Sequence, residues 1–108
     1  MFERTIHIEN IAKGESCFLW GPRQTGKSTY LKHTFPESPY YDLLLSDEYL
    51  RISRNPSVVR EELLAIKNLT RPVIIDEVQK IPQLLDEVHW LITNKGINFI
   101  LCGSIPGN

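Results

Sequence analysis

Short apolar runs alternate with amphipathic stretches along this chain, and Gly and Pro fall between them as punctuation. Residues 16–20 (SCFLW) are an apolar run that stops at Gly21-Pro22, which predicts a strand buried on both faces. A helix is predicted over 27–34, ended before Pro36, and a second strand over 40–44. Ser46 or Asp47 is placed to cap a short helix running to about Ser53. Asn55-Pro56 restarts helix, and Val59, Leu63 and Ile66 at helical spacing carry it to about Lys67. After Arg71-Pro72 comes Val73-Ile74-Ile75-Asp76, an apolar strand ending in an acid. Pro82 opens a helix whose stripe of Leu84, Leu85, Val88, Leu91 and Ile92 should pack on a sheet, with Gly96 as its stop. Residues 98–102 (NFILC) are the last predicted strand. At the other end, Ile6, Ile8 and Ile11 fit neither period, so residues 1–14 read as a leading helix or an extended arm closed by Gly14. Strands alternating with helices predict an α/β domain: a mostly parallel sheet, right-handed crossovers, and helices on both faces.

Length and composition narrow this reading. The chain has 108 residues with no internal repeat and no linker-like tract, so residues 1–108 are expected to form a single unit. Hydrophobic residues at 42% and charged residues at 23% are ordinary globular values. A net charge of −1 supplies no global positive field that would draw the chain onto nucleic acid or an anionic membrane, although a local basic patch stays open. The opening MFERTIHIEN lacks a signal-peptide core, and no apolar run approaches the roughly 20 residues of a bilayer span, so the expected location is cytoplasmic and no membrane is implied. Cys17 and Cys102 sit in apolar runs and read as small buried hydrophobes, and His7, His33 and His89 lack metal-ligand spacing.

One stretch carries chemistry outright. Gly21-Pro22-Arg23-Gln24-Thr25-Gly26-Lys27-Ser28 matches the phosphate-loop pattern, two glycines with four residues between them followed by Lys and Ser. At average residue frequencies such a match arises in fewer than about one in a hundred chains of this length, and its position between a predicted strand and a predicted helix makes chance less adequate still. The chemistry needs these residue types. Backbone N–H groups must turn inward around phosphate oxygens, and Gly21 and Gly26 allow backbone angles that a side chain would block. Lys27 sets a point charge beside the β and γ phosphates, Ser28 offers a hydroxyl to Mg²⁺, the helix start adds partial positive charge, and Thr29 is a candidate for the α-phosphate.

Asp76-Glu77 is the second element. Asp76 should emerge at the carboxyl end of a buried strand, where doubly wound sheets bind their ligands. There it can hold Mg²⁺ through water, while Glu77 orients and polarises a water attacking the γ-phosphate. A third element, Cys102-Gly103-Ser104, offers Ser104 as a residue that senses the γ-phosphate or holds the attacking water or, alternatively, an ordinary turn before Pro106. Arg23 and Gln24 lie inside the loop and Gln79 and Lys80 follow the acids, so any of them is a candidate to face a nucleotide or a neighbouring subunit.

Taken together, GPRQTGKS, the VIID strand with the second acid of DEVQK, and FILCGS resemble a prokaryotic family of AAA+ ATPases over about residues 15–104. The resemblance implies a P-loop NTPase three-layer fold with sheet order 5-1-4-3-2, here truncated after the fourth strand, and a larger protein with a further C-terminal region. It implies ATP as ligand and Mg²⁺ as cofactor, with Gly21 to Thr29 as the phosphate loop, Asp76 as the Mg²⁺ acid, Glu77 as the water-activating glutamate, and Cys102 to Ser104 at the sensor. Cys102 stands where the family's strand usually ends in threonine. The arginine finger and helical lid of such ATPases would lie beyond this chain. The expectation is therefore a partial core that binds poorly alone, forms a homo-oligomer, or depends on the C-terminal region or a partner protein.

Two functions stay open on these residues: an Mg²⁺-dependent ATP hydrolase when the core is complete, or a truncated nucleotide-binding interaction module with negligible turnover of its own. A small-molecule kinase is disfavoured by the water-activating Glu77. A GTPase is disfavoured because Thr93-Asn94-Lys95-Gly96 is followed by Ile97 and precedes the last strand.

Overall fold

The computed structural model describes residues 17–21 and 27–104. The leading segment 1–14 and residues Pro22, Arg23, Gln24, Thr25 and Gly26 of the phosphate-loop pattern lie outside the described residues. In chain order the elements are β1 (Cys17–Gly21), α1 (Lys27–Thr34), β2 (Tyr40–Asp42), α2 (Ser46–Arg54), α3 (Ser57–Leu64), β3 (Val73–Asp76), a 3₁₀ turn (Val78–Lys80), α4 (Leu84–Lys95) and β4 (Phe99–Ser104).

The strands form one four-stranded sheet in the order β1-β4-β3-β2, and every pairing is parallel. This is the four-strand part of the order implied by the resemblance. From β1 the chain crosses the whole sheet to β2, then steps back through β3 to β4. Crossovers of one hand that reverse direction must run over opposite faces, which sorts the helices into two layers.

Strand alternation builds both cores. Val73 and Ile75 of β3 and Phe99 and Leu101 of β4 face one side, where Ile52 of α2, Val59 and Leu63 of α3, and Leu84, Val88 and Leu91 of α4 cover them. Ile74, Ile100 and Cys102 face the other side, under Leu31 of α1, with Tyr30, Phe35 and Tyr40 packed around them. Residues Val73 to Asp76 are buried without a break, as a strand covered on both faces requires.

Local chemistry explains where element boundaries depart from the pattern. The 40–44 strand stops at Asp42 because the Asp42 carboxylate accepts the Leu44 N–H at 3.0 Å and the Asp42 carbonyl accepts the Leu45 N–H at 3.2 Å, turning the chain. Neither Ser46 nor Asp47 caps α2; Leu45 holds that position with no side-chain bond, and Asp47 and Glu48 meet the helix dipole from the first turn instead. Pro56 lies one residue before α3, which ends at Leu64 and not near Lys67. Bonds from Ala65 to Glu62 and from Ile66 to Leu63 tighten its end, and Asn68 is left-handed at φ 59°. Ile66, beyond the helix, is exposed. In α4 the buried stripe is Leu84, Val88 and Leu91, while Leu85 and Ile92, at its flank, are exposed. Gly96 ends α4 at φ 66°, as its position suggested.

Candidate functional site

Because all four strands are parallel, their carboxyl ends share one edge of the sheet. Gly21 is in register with Ser104, and Asp76 with both Cys102 and Asp42. Ser104 thus belongs to β4 itself, which runs past Cys102, and its backbone lies beside the glycine at which the phosphate-loop pattern begins. The turn reading of Cys102-Gly103-Ser104 is replaced by strand.

Beyond the undescribed loop, Lys27 and Ser28 are the first two residues of α1 and exposed Thr29 the third, so the helix start falls where the pattern needs it. Leu31, fully buried, docks α1 on Ile74, Ile100 and Cys102. By strand alternation Asp76 shares the Ile74 face, so the helix start and this acid belong to the same side of the sheet.

Asp76 is 1% exposed. A carboxylate removed from water needs hydrogen bonds to hold its charge. The Tyr40 hydroxyl donates to Asp76 Oδ2 at 2.8 Å, and the Asp76 carbonyl accepts the Leu43 N–H at 3.1 Å, extending the β2–β3 ladder by one bond. Tyr40 is in register with Ile74, two residues before Asp76 on the same face, and the length of its side chain spans that offset. Sequence reasoning missed this residue. Its only signal is the two-residue offset between aligned strands, which needs the β2–β3 pairing to be known first.

Glu77 is 2% exposed and left-handed, at φ 62° and ψ 45°. This reversal ends β3 and starts the 3₁₀ turn, whose Val78, with Ile81 just after it, drops into the larger core. The Glu77 carbonyl accepts the Lys80 N–H at 3.1 Å, and Gln79 Nε2 donates to Glu77 Oε1 at 2.7 Å. Of the four residues left open toward nucleotide or subunit, Arg23 and Gln24 lie outside the described residues, Gln79 holds the glutamate, and the Lys80 ammonium sits 5.3 Å from the centre of the Tyr49 ring.

The two described acids, Asp76 and Glu77, are hard oxygen donors. Among the described residues no group of three His, Cys, Asp or Glu side chains gathers as a metal cage. A buried carboxylate on the same side of the sheet as the start of α1 is compatible with an ion such as Mg²⁺, which keeps several waters and binds through one or two protein oxygens plus phosphate. No helix among the described residues is long and apolar enough to cross a membrane.

A family model described as an AAA domain matches residues 13–108. No curated protein matches the chain.

Proposed function

The chain belongs to the AAA domain family of nucleotide-binding P-loop ATPases, and from that premise we propose that it binds ATP with Mg²⁺ and, as part of a complete AAA+ core, hydrolyses the terminal phosphate bond. The observation that carries this reading is the pair Asp76-Glu77, buried at the carboxyl end of β3 on a parallel sheet whose first strand leads into a helix beginning Lys27-Ser28.

In the proposed arrangement the backbone N–H groups of Gly21, Pro22's successors Arg23, Gln24 and Thr25, and Gly26 surround the phosphates, as the glycine-bounded turn permits. Lys27 neutralises charge at the β and γ phosphates, and Thr29 reaches the α-phosphate. Ser28 and Asp76 are the residues that would hold Mg²⁺, Ser28 directly and Asp76 through water. When bound, Mg²⁺ supplies positive charge against the negative charge developing on the phosphoryl oxygens. Glu77 accepts a proton from a water molecule whose oxygen bonds to the γ-phosphorus; the bridging P–O bond breaks, leaving ADP and inorganic phosphate. Gln79 keeps the Glu77 carboxylate in place, and Ser104, whose backbone is in register with Gly21, is the candidate sensor of the γ-phosphate.

A homo-oligomer or a partner belongs to the same proposal. Among the described residues β1 is an edge strand paired with β4 along one side, and its Phe18 is 41% exposed, a surface that a further strand or subunit would cover.

The test is single-turnover hydrolysis with ATP. Glu77→Gln should keep the wild-type affinity and lose about 100-fold or more in rate, the range expected of a missing general base. Wild-type turnover in Glu77→Gln would remove the base assignment. Binding of ATP by the wild type without any turnover would favour the nucleotide-binding module.

A further inference from the structure

We propose that Tyr40 is a positioning residue that sets how Asp76 presents its carboxylate to Mg²⁺; the inference rests on the reading of Asp76 given above. An aspartate's terminal torsion is broad, so a carboxylate at a strand end can rotate among many directions. Here the Tyr40 hydroxyl donates to Oδ2 at 2.8 Å. A charge-assisted O–H bond of this kind fixes the carboxylate plane and with it the direction of the second oxygen.

The donor is itself held. Tyr40 packs against the cluster of Leu31, Ile74, Ile100 and Cys102, and the Lys32 ammonium lies 4.9 Å from the centre of its ring. Lys32 belongs to α1, the helix that begins with Lys27 and Ser28. One aromatic ring therefore touches the helix that would carry the phosphates and bonds the acid that would hold their cation.

Partners that orient metal-binding side chains are typically worth about 10- to 100-fold in metal affinity. The experiment is calorimetric titration with ATP at a series of Mg²⁺ concentrations and in EDTA, on the wild type, Tyr40→Phe, Asp76→Asn and the double variant, each checked by circular dichroism. Tyr40→Phe should raise the Mg²⁺ concentration needed for half-maximal tightening by about tenfold and leave affinity in EDTA unaltered. Asp76→Asn should lose most of the Mg²⁺ dependence, with no further loss in the double variant. In the wild type itself, the ¹³Cζ resonance of Tyr40 should move when Mg²⁺ is added to the ATP complex, and should not move in Asp76→Asn.

A Tyr40→Phe protein with wild-type Mg²⁺ dependence, or with equal weakening in Mg²⁺ and EDTA, overturns the inference while Asp76 keeps its role, as does a Tyr40 resonance indifferent to Mg²⁺. Unchanged Mg²⁺ dependence in Asp76→Asn instead removes the reading of Asp76, and this inference falls with it.

Discussion

Glu77 carries its carboxylate on a backbone that few residues with a side chain adopt, and the energy stored there can be measured without nucleotide. At φ 62° and ψ 45° a Cβ crowds the following carbonyl, at a cost of about 1–2 kcal/mol. Glycine escapes that cost but gives back about 0.5–1 kcal/mol through the greater freedom of its unfolded chain. Replacing Glu77 with Gly and, separately, with Ala removes the carboxylate and the Gln79 bond equally in both, so these losses cancel in the comparison. What remains favours Glu77→Gly over Glu77→Ala by about 0.5–1 kcal/mol, the reverse of the order at an ordinary helix or strand position. For a domain of this size the difference is about 2–6 °C in thermal midpoint. Paired urea and thermal unfolding curves followed by circular dichroism would read it. An alanine variant as stable as the glycine variant, or more so, would refute the strain argument. With neither variant retaining hydrolysis, a glycine advantage would mean that the turn is kept at a cost to stability for what Glu77 does there.

Two further outcomes follow from the packing. Leu91 is fully buried on the core-facing side of α4, so Leu91→Ala should destabilise by about 2–5 kcal/mol, whereas Ile92→Ala, on the exposed flank of the same helix, should cost well under about 1 kcal/mol in the same urea assay. Burial first, then the hydrogen bond and charge of Glu62, push the Tyr41 phenol above its ordinary value. Above pH about 10 the unfolded chain has then lost a proton that the folded chain retains, so folding stability should fall as pH rises beyond that point and be unaffected by this group below it. Tyr41→Phe should flatten the alkaline decline; a decline as steep as the wild type's would contradict it.

The fold was legible wherever one physical signal dominated. An apolar, β-branched run ended by an acid can hardly be anything but a buried strand, and Val73 to Asp76 is one, bounded as expected. Alternation of such runs with helical stretches carried the parallel sheet with it, and the resemblance supplied the strand order. Boundaries set by side-chain bonds were not legible. Hydropathy cannot separate Leu43, which is buried, from Leu44, which is exposed, because the turn between strand and helix is made by the Asp42 carboxylate. Nor can it set the width of the α4 stripe, since Leu85 and Ile92 are as apolar as the residues that pack. In the candidate site, the acids and the phosphate-loop pattern were visible as residue types at fixed spacing. Their partners were not: Gln79 reaches Glu77 across a left-handed turn, and Tyr40 reaches Asp76 across 36 residues of chain and one strand pairing.

The central claim is that the turn between β1 and α1, completed by Lys27 and by Asp76 from β3, holds a nucleoside triphosphate with its cation. Titration of ATP into the wild type beside Lys27→Ala, each with and without Mg²⁺, tests it most directly. The account predicts that the lysine variant folds normally and loses measurable affinity under both conditions, while the wild type binds more tightly with Mg²⁺ than without. Equal affinity in the two proteins would contradict it.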